Sequence, residues 1–432
     1  MELQPGVEVK MIAINDIHTL NFADIPIDRF WNVGYEQELK MHRIHAYPAK
    51  FPAFITTKAI AYAKENGLTP RRIADFFCGC GTVAFESKRA AIDFWGCDIN
   101  PVATMIAKVK SRASYQKWRL ERYFNAIIEC FRKNNIYPNP EYYNSNYRLQ
   151  YWFDIEHYND LSKLKQAIEL CTPEHSDYRD FFICAFSNIL KATSKWLTKS
   201  IKPQIDPQKC PMDVIRAYTA QVSFMIAASE QANLPTESKV EIITANILEQ
   251  NKFPQIDLIV TSPPYVTSYE YADLHQLSSL WLGYASDYRE LRIGSIGSLN
   301  PEYNFRKEIK HLNKTGHYIV TLLLDQVKEK ARDVAKYFLD MQTIAVKSFE
   351  MLSPGGMALF VIGNTEYKGV YIDNAKHLSE SMLEAGFSSV LATKRKISNK
   401  ILTPYRDARG HFSTNNKGRK IYAEEFIIIG RR

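Results

Sequence analysis

The chain has 432 residues, 46% of them hydrophobic, which by a length prior of about 150 residues per domain is enough for two or three packed cores. A formal charge of +8 and a pI near 8.9 suit a polyanionic partner without requiring one. No apolar run reaches membrane-spanning length and no cationic-then-apolar leader opens the chain, so a cytoplasmic protein is expected. Seven cysteines, an odd number without C-x-x-C spacing, give neither a disulfide framework nor a zinc pattern.

Residues 1–41 carry little pattern. Val7–Ile14 alternates weakly, as an edge strand does, and Asn21–Trp31 reads as an irregular arm. His42 and His45 form an H-x-x-H pair with no carboxylate or further histidine set for a metal, and read as surface or entry residues; no metal is expected. Pro48 and Pro52 hold the chain extended until a helix runs from Ile55 to Lys64.

Arg71–Ala74 reads as a strand. Asp75-Phe76-Phe77-Cys78-Gly79-Cys80-Gly81-Thr82 follows as a Gly-x-Gly turn, and Val83–Ala90 as a helix. Glycines at such a turn let a ligand approach the backbone closely. Cys78 and Cys80 stand where the turn needs only a small residue. The next apolar run, Phe94–Ile99, ends on Asp98, an acid placed to hold a ribose diol. A second helix, Pro101–Lys110, starts on a proline that its first turn tolerates.

Residues 111–238 break the strand–helix alternation. Amphipathic helices are expected at Trp118–Arg132, Leu161–Cys171, Phe181–Leu197 and Val214–Ala232, with a tyrosine-rich loop (Tyr137, Tyr142, Tyr143, Tyr147, Tyr151, Trp152) between the first two. The block reads as a helical domain inserted into an α/β sheet. Most of its aromatics are expected in its own core, and the block as a whole is a candidate DNA-recognition region.

Val240–Ile247 resumes the sheet, with Asn246 at its end. Ile256–Val260 is a short buried strand that runs into Thr261-Ser262-Pro263-Pro264-Tyr265. Proline has no N–H for a neighbouring strand, so the pair stops the ladder and stiffens a corner at the strand's carboxyl end. The Ser262 hydroxyl and the corner's carbonyls are expected to lack local partners and to face a cavity beside the Tyr265 ring. Val266–Tyr284 reads as a mobile wall and Gly294–Ser298 as a flexible segment. A long helix at Gln326–Leu352, a turn at Pro354-Gly355-Gly356, a strand at Met357–Gly363 and a helix at Asn374–Ala385 follow. Phe387–Ile397 and Ile421–Gly430 are strands expected to pair antiparallel. Residues 391–432 hold eleven Lys/Arg against three Asp/Glu, so the whole formal excess lies in this basic segment.

The glycine turn, Asp98 and the Ser-Pro-Pro-Tyr corner together resemble the S-adenosylmethionine-dependent amino-methyltransferases of DNA, most closely the cytosine-N4 branch. The resemblance covers residues 42–110 and 239–432, which it implies form the catalytic domain. The family's cofactor loop reads Asp-Pro-Phe-x-Gly-x-Gly-Thr; Phe76 stands here for the proline. The fold implied is α/β, a doubly wound Rossmann-like methyltransferase sheet of seven strands with the last antiparallel. The cofactor implied is S-adenosylmethionine, and the partners are double-stranded DNA and, in a restriction–modification or related defence setting, a cognate restriction endonuclease. By the resemblance, Lys50, Phe51 and Pro52 line the methionine end of the cofactor. Asp75, Phe77, Cys78, Gly79, Gly81, Thr82, Asp98, Ile99, Asn246, Ile247 and Thr261 contribute the rest of its site. Ser262, Pro263, Pro264 and Tyr265 are the candidate catalytic residues.

The amino nitrogen of cytosine is a poor nucleophile, because its lone pair is delocalised into the ring, and it lies inside the duplex. An enzyme acting on it must rotate the nucleotide out of the stack. Acceptors at the amino hydrogens, Ser262 Oγ and the Pro263 carbonyl, then free the lone pair, and Tyr265 stacks on the base. Adenine-N6 methylation needs the same geometry, with Asp or Asn commoner in place of Ser262. Amino methylation of RNA and a catalytically silent DNA-binding subunit are the other readings open at this level.

Overall fold

Eight strands build the main sheet: β1 (Ile12–Ala13), β2 (Arg72–Asp75), β3 (Asp93–Asp98), β4 (Val240–Thr244), β5 (Ile256–Thr261), β6 (Leu352–Ile362), β7 (Ser389–Lys396) and β8 (Glu424–Arg431). They are seen in a computed structural model that describes residues 9–34, 37–47, 50–112, 115–133, 138, 140–200, 202–266, 271–285, 287–299, 302–397, 405–406, 412–413, 419–420 and 423–432. The sheet order is β1-β7-β8-β6-β5-β2-β3-β4. Strands β4, β3, β2, β5 and β6 run parallel, and β8 lies antiparallel between β6 and β7. This is a doubly wound, Rossmann-like sheet with its last strand antiparallel, and the arm's β1 makes it eight strands where seven were expected. The N-terminal arm adds the two-residue β1 to the β7 edge, shorter than the Val7–Ile14 run that the sequence suggested; Val7 and Glu8 lie outside the described residues.

Side-chain alternation explains the two covered faces. Leu258, Val260, Leu359 and Val361 pack beneath helices α1 (Ala53–Glu65) and α2 (Thr82–Arg89), whereas Ile259, Ala358 and Phe360 face a second core. All six residues of β5 are buried, as expected of a central parallel strand. Its one acid, Asp257, accepts hydrogen bonds from Arg71 N (2.8 Å) and Arg72 N (3.0 Å), and so stitches the start of β2 to β5.

Helix α3 (Pro101–Ser111) starts at Asn100, whose side chain caps Val102 N. Its outer face carries the helical block: α4 (Lys117–Arg132), α5 (Pro140–Ser145), α6 (Tyr147–Trp152), α7 (Ile155–Cys171), α8 (Asp177–Ile189) and α9 (Val214–Ala232). Two expectations change here. The Phe181–Leu197 helix ends at Ile189, because Trp196 pairs with Ile205 in a β-bridge. The tyrosine-rich loop is two short helices, with Trp152 buried and Tyr147 and Tyr151 exposed; Tyr137 lies outside the described residues.

Beyond β5 come α10 (Tyr271–Leu274), α11 (Gln276–Leu282), α12 (Phe305–Glu308), α13 (Lys314–Leu324), α14 (Lys328–Met351) and α15 (Asn374–Glu384). Helices α13, α14 and α15 cover the second face of the sheet. Helix α14 is unbroken, and β6 begins at Leu352, running through Gly355 and Gly356 where a turn was expected, with a register shift opposite Ile256–Leu258.

The H-x-x-H pair is not at the surface. His42 is 2% and His45 9% exposed. His42 Nε2 lies 2.7 Å from Glu86 Oε1 and its ring packs edge-on against Phe85; His45 Nε2 lies 2.9 Å from Ser187 Oγ. Glu86 therefore stands beside His42 as a buried structural partner. Among the described residues no three His, Cys, Asp or Glu are grouped to hold a metal. Among them, too, no helix is long and apolar enough to cross a membrane.

Gly81 sits at φ +75°, and a Cβ there would lie 2.6 Å from Ala107 Cβ and 2.7 Å from Ala107 Cα on α3. Gly81→Ala is therefore expected to destabilise the fold by roughly 3 kcal/mol, through left-handed strain plus overpacking. Denaturant unfolding checks this, and an unchanged midpoint would contradict it.

Candidate active site

Parallel pairing brings Thr244, Asp98, Asp75, Thr261 and Ile362 to one edge of the sheet. Ligands of open α/β sheets bind beyond that edge. The two most informative segments, about 186 residues apart in sequence, touch there: Thr261 Oγ1 donates to Asp75 Oδ1 at 2.6 Å. Phe77 N donates to the same oxygen at 3.1 Å. The strand that leads into the proline corner and the strand that leads into the glycine turn thus end side by side.

Asp98 orders the other side of the turn. Its carboxylate accepts from Gly79 N (2.9 Å) and Asn100 N (2.9 Å), and its own carbonyl accepts from Ala245 N (3.0 Å). Burial pushes the Asp75 carboxyl up to about 7 and the Asp98 carboxyl up to about 6. Burial, with Asp98 and Asp75 nearby, raises the Cys78 thiol well above its usual range, so it stays protonated and is unsuited to nucleophilic attack. Cys80 Sγ accepts from the buried Lys110 ammonium at 3.3 Å.

The corner departs from expectation in one respect. Ser262 Oγ is not without a partner: it donates to the Val361 carbonyl at 3.0 Å. The register explains it, since Thr261 opposes Phe360 and the next side chain falls beside Val361. The hydroxyl's proton is committed to the neighbouring strand, and its lone pairs are left to accept. Ser262, Pro264 and Tyr265 are half-buried, while Pro263 is buried.

The remaining sequence candidates are placed as follows. Thr82 is buried at the start of α2, and its Oγ1 has no hydrogen-bond partner among the described residues. Thr261 is wholly buried, and the Ile247 side chain lies in the core, so neither presents its side chain at the surface. Asn246 spends both side-chain atoms on its own turn, donating to Glu249 Oε1 (3.0 Å) and accepting from Leu248 N (3.1 Å). Lys50 is engaged by Glu38 (2.7 Å) and the His42 carbonyl (3.2 Å). Phe51 packs against the core that holds Cys78, and Pro52 is the residue preceding α1.

Sequence reasoning missed several residues. Tyr47 meets the glycine turn: a Cβ on Gly79 would lie 3.2 Å from its hydroxyl. Its ring also lies against His275, centroids 5.0 Å apart. Asn100 Oδ1 accepts from Val102 N, so Nδ2 is the atom facing His275 Nδ1 at 2.8 Å. His275 Nδ1 is therefore the acceptor and the ring proton sits on Nε2. Burial lowers the His275 pKa to about 3, keeping the ring neutral. A lone histidine in a hydroxyl-rich stretch gave no signal of this; Asn100 before Pro101 did, as a helix cap.

The Gly294–Ser298 segment, expected to be flexible, packs as an outer wall. A Cβ on Gly294 would lie 3.2 Å from both Asn246 Nδ2 and Ile99 Cδ1, and Gly297 N donates to Asp340 at 2.8 Å.

No family model matches the chain. It is similar to the Type II methyltransferase M.MvaI of Kocuria varians, 24% identical over 387 residues that cover 83% of this chain and 84% of that protein. It is also similar to the Type II methyltransferase M.AvaI of Anabaena variabilis (26% identical, 73% of each chain). A third relative is the Type II methyltransferase M.BsoBI of Geobacillus stearothermophilus (23% identical, 86% and 83%). Among solved structures, the rRNA methyltransferase aviRa from Streptomyces viridochromogenes aligns over 90% of this chain and 91% of its own at 9% identity, with a TM-score of only 0.27.

Proposed function

We propose that this chain is an S-adenosylmethionine-dependent DNA methyltransferase that modifies the exocyclic N4 amino group of a cytosine rotated out of the duplex. The observation that carries the reading is the Thr261–Asp75 hydrogen bond, which fastens the acceptor-bearing corner to the glycine turn. The three relatives, each a Type II methyltransferase, support methyl transfer as the activity.

The residues present fit the cofactor. Gly79 and Gly81 both adopt positive φ, and the Thr82 hydroxyl is buried without a partner where a polar ligand can satisfy it. Asp98 would take the ribose hydroxyls, Asp75 and Phe77 the amino-acid end, and Ile99 the adenine face. Asn246 reaches the adenine only by giving up Glu249. When bound, the cofactor supplies a methyl group on a sulfonium centre. The protein's part is to orient and polarise the acceptor base. With its proton on Val361, Ser262 Oγ accepts from the amino group, and the Pro263 carbonyl takes the second amino hydrogen. Both then face the positive charge that grows on nitrogen. Tyr265 stacks on the base. No covalent intermediate is required, in keeping with the protonated Cys78.

The helical block is the proposed DNA-reading region. Trp118, Tyr147 and Tyr151 are exposed there, suited to stacking or groove contact, and Trp152 Nε1 donates to Gln276 of α11 (3.1 Å), tying the block to the active-site wall. A restriction–modification setting with a cognate endonuclease, and a cytoplasmic location, belong to the same reading.

Cofactor affinity is expected to fall as pH drops through about 7 and then about 6, where Asp75 and Asp98 take up protons. Ribose hydroxyls and a cationic amino-acid end favour the ionised carboxyls, so binding between these pH values releases protons. Calorimetry in buffers of different ionisation enthalpy checks the sign; proton uptake would contradict it. The function itself is tested by transfer of a labelled methyl group from S-adenosylmethionine to unmodified duplex DNA, with RNA in parallel. Label in RNA alone, or in neither, overturns it.

A further inference from the structure

We infer that Glu425, Arg395 and Gly363 form a clamp that fixes the plane of Tyr265, making Glu425 and Arg395 positioning residues for methyl transfer; the inference rests on the reading of Tyr265 as the ring that stacks on the flipped base. Four neighbouring strands contribute. Tyr265 follows the end of β5, and its hydroxyl donates to Glu425 Oε1 on β8 at 3.1 Å. Glu425 is the direct cross-strand partner of Arg395 on β7. Arg395 Nε lies 3.3 Å from Glu425 Oε2, with the arginine side chain 3% and the glutamate side chain 17% exposed. The guanidinium also lies 5.6 Å from the Phe54 ring centroid, on the helix that follows the Phe51–Pro52 segment. On the other side, Gly363 closes on the ring just past β6: a Cβ there would lie 2.9 Å from Tyr265 Cε2.

The arrangement constrains both side-chain torsions of Tyr265. Contact with the Gly363 backbone limits where the ring edge lies, and the bond to Glu425 limits where the hydroxyl lies. Arg395 in turn attracts the other carboxylate oxygen as an ion-pair partner, its Nε making no hydrogen bond to it. A buried ion pair contributes little net stability compared with an apolar pair of similar volume, so stability alone gives no reason for this one. A ring that must receive a base at a fixed height and tilt does, because small misplacements of a reacting atom cost large factors in rate.

The test uses the full chain and measures kcat for labelled methyl transfer to unmodified genomic DNA at saturating cofactor, with cofactor Kd and thermal unfolding in parallel. Glu425→Ala and Tyr265→Phe are each expected to lower kcat about tenfold, and the double variant no further, since both cut the same tether. Cofactor Kd stays within about twofold of the unaltered chain, because the clamp lies on the acceptor side. Glu425→Gln recovers most of the rate, because its amide oxygen still accepts from the tyrosine. If Glu425→Ala fails to fold with Arg395 left unpaired, the apolar pair Arg395→Met with Glu425→Leu replaces it and is expected to show the same tenfold loss. Unchanged kcat, or losses that multiply in the double variant, overturn the clamp while leaving the proposed function standing. Absence of any transfer to DNA by the unaltered chain overturns that function, and the clamp's role with it.

Discussion

Replacing Ser262 by alanine is expected to lower kcat about 100-fold or more while leaving cofactor affinity within about twofold. The hydroxyl donates to Val361 O at 3.0 Å, so its lone pairs remain to accept from the amino group of the base. Removing it leaves the amino group of the base with the Pro263 carbonyl alone, and the nitrogen lone pair remains delocalised when attack should occur. Loss of a single preorganised group at the developing charge costs about 10²–10³ in kcat in comparable sites. The fold should tolerate the change: the Val361 carbonyl loses one partner of a half-buried pair, at a cost of about 1 kcal/mol. Saturation kinetics and a cofactor titration on the same sample separate the two effects. Equal losses in kcat and cofactor affinity would mean that Ser262 shapes the cofactor site instead.

Asp98→Ala is expected to do the converse, raising the cofactor Kd about 30-fold while kcat at saturating cofactor falls only a few-fold. Hydrogen bonds to a charged group contribute about 1.5–3 kcal/mol, which corresponds to a factor of about 10–150. Asp98 also accepts from Gly79 N and Asn100 N, so the variant loosens the glycine turn and the start of α3. Asp98→Asn keeps the volume but turns an N–H toward one of those donors, so it should recover little affinity. An Asp98→Ala protein that binds cofactor normally would remove the acid from the ribose site.

The sheet was legible because its signals are local. Period-two apolar runs, a glycine turn and a proline pair each mark a strand's end, and the β7–β8 antiparallel pairing was read from two such runs. What escaped was set by contacts across the chain. Ser262 was read as free because Val361 is 99 residues away, and only the β5–β6 register brings it alongside. His42 and His45 looked like surface histidines because Glu86 and Ser187, which bury them, belong to other helices. Helix α13 was not anticipated, and the Gly294–Ser298 wall was misjudged because glycine and serine suggest flexibility until Asp340 and Tyr337 are placed against them. Glu425 was one acid in a basic segment; its bond to the Tyr265 hydroxyl, 160 residues away, depends on how the strands are ordered.

The most direct measurement is the identity of the modified nucleoside. Unmodified duplex DNA is incubated with the protein and methyl-labelled S-adenosylmethionine, digested to nucleosides and separated by chromatography with mass detection. Label in N4-methylcytosine is the expected result. Label in N6-methyladenine would move the acceptor to the other amino-bearing base, and label in 5-methylcytosine, or none in DNA, would contradict the assignment of the proline corner as an amino-group site.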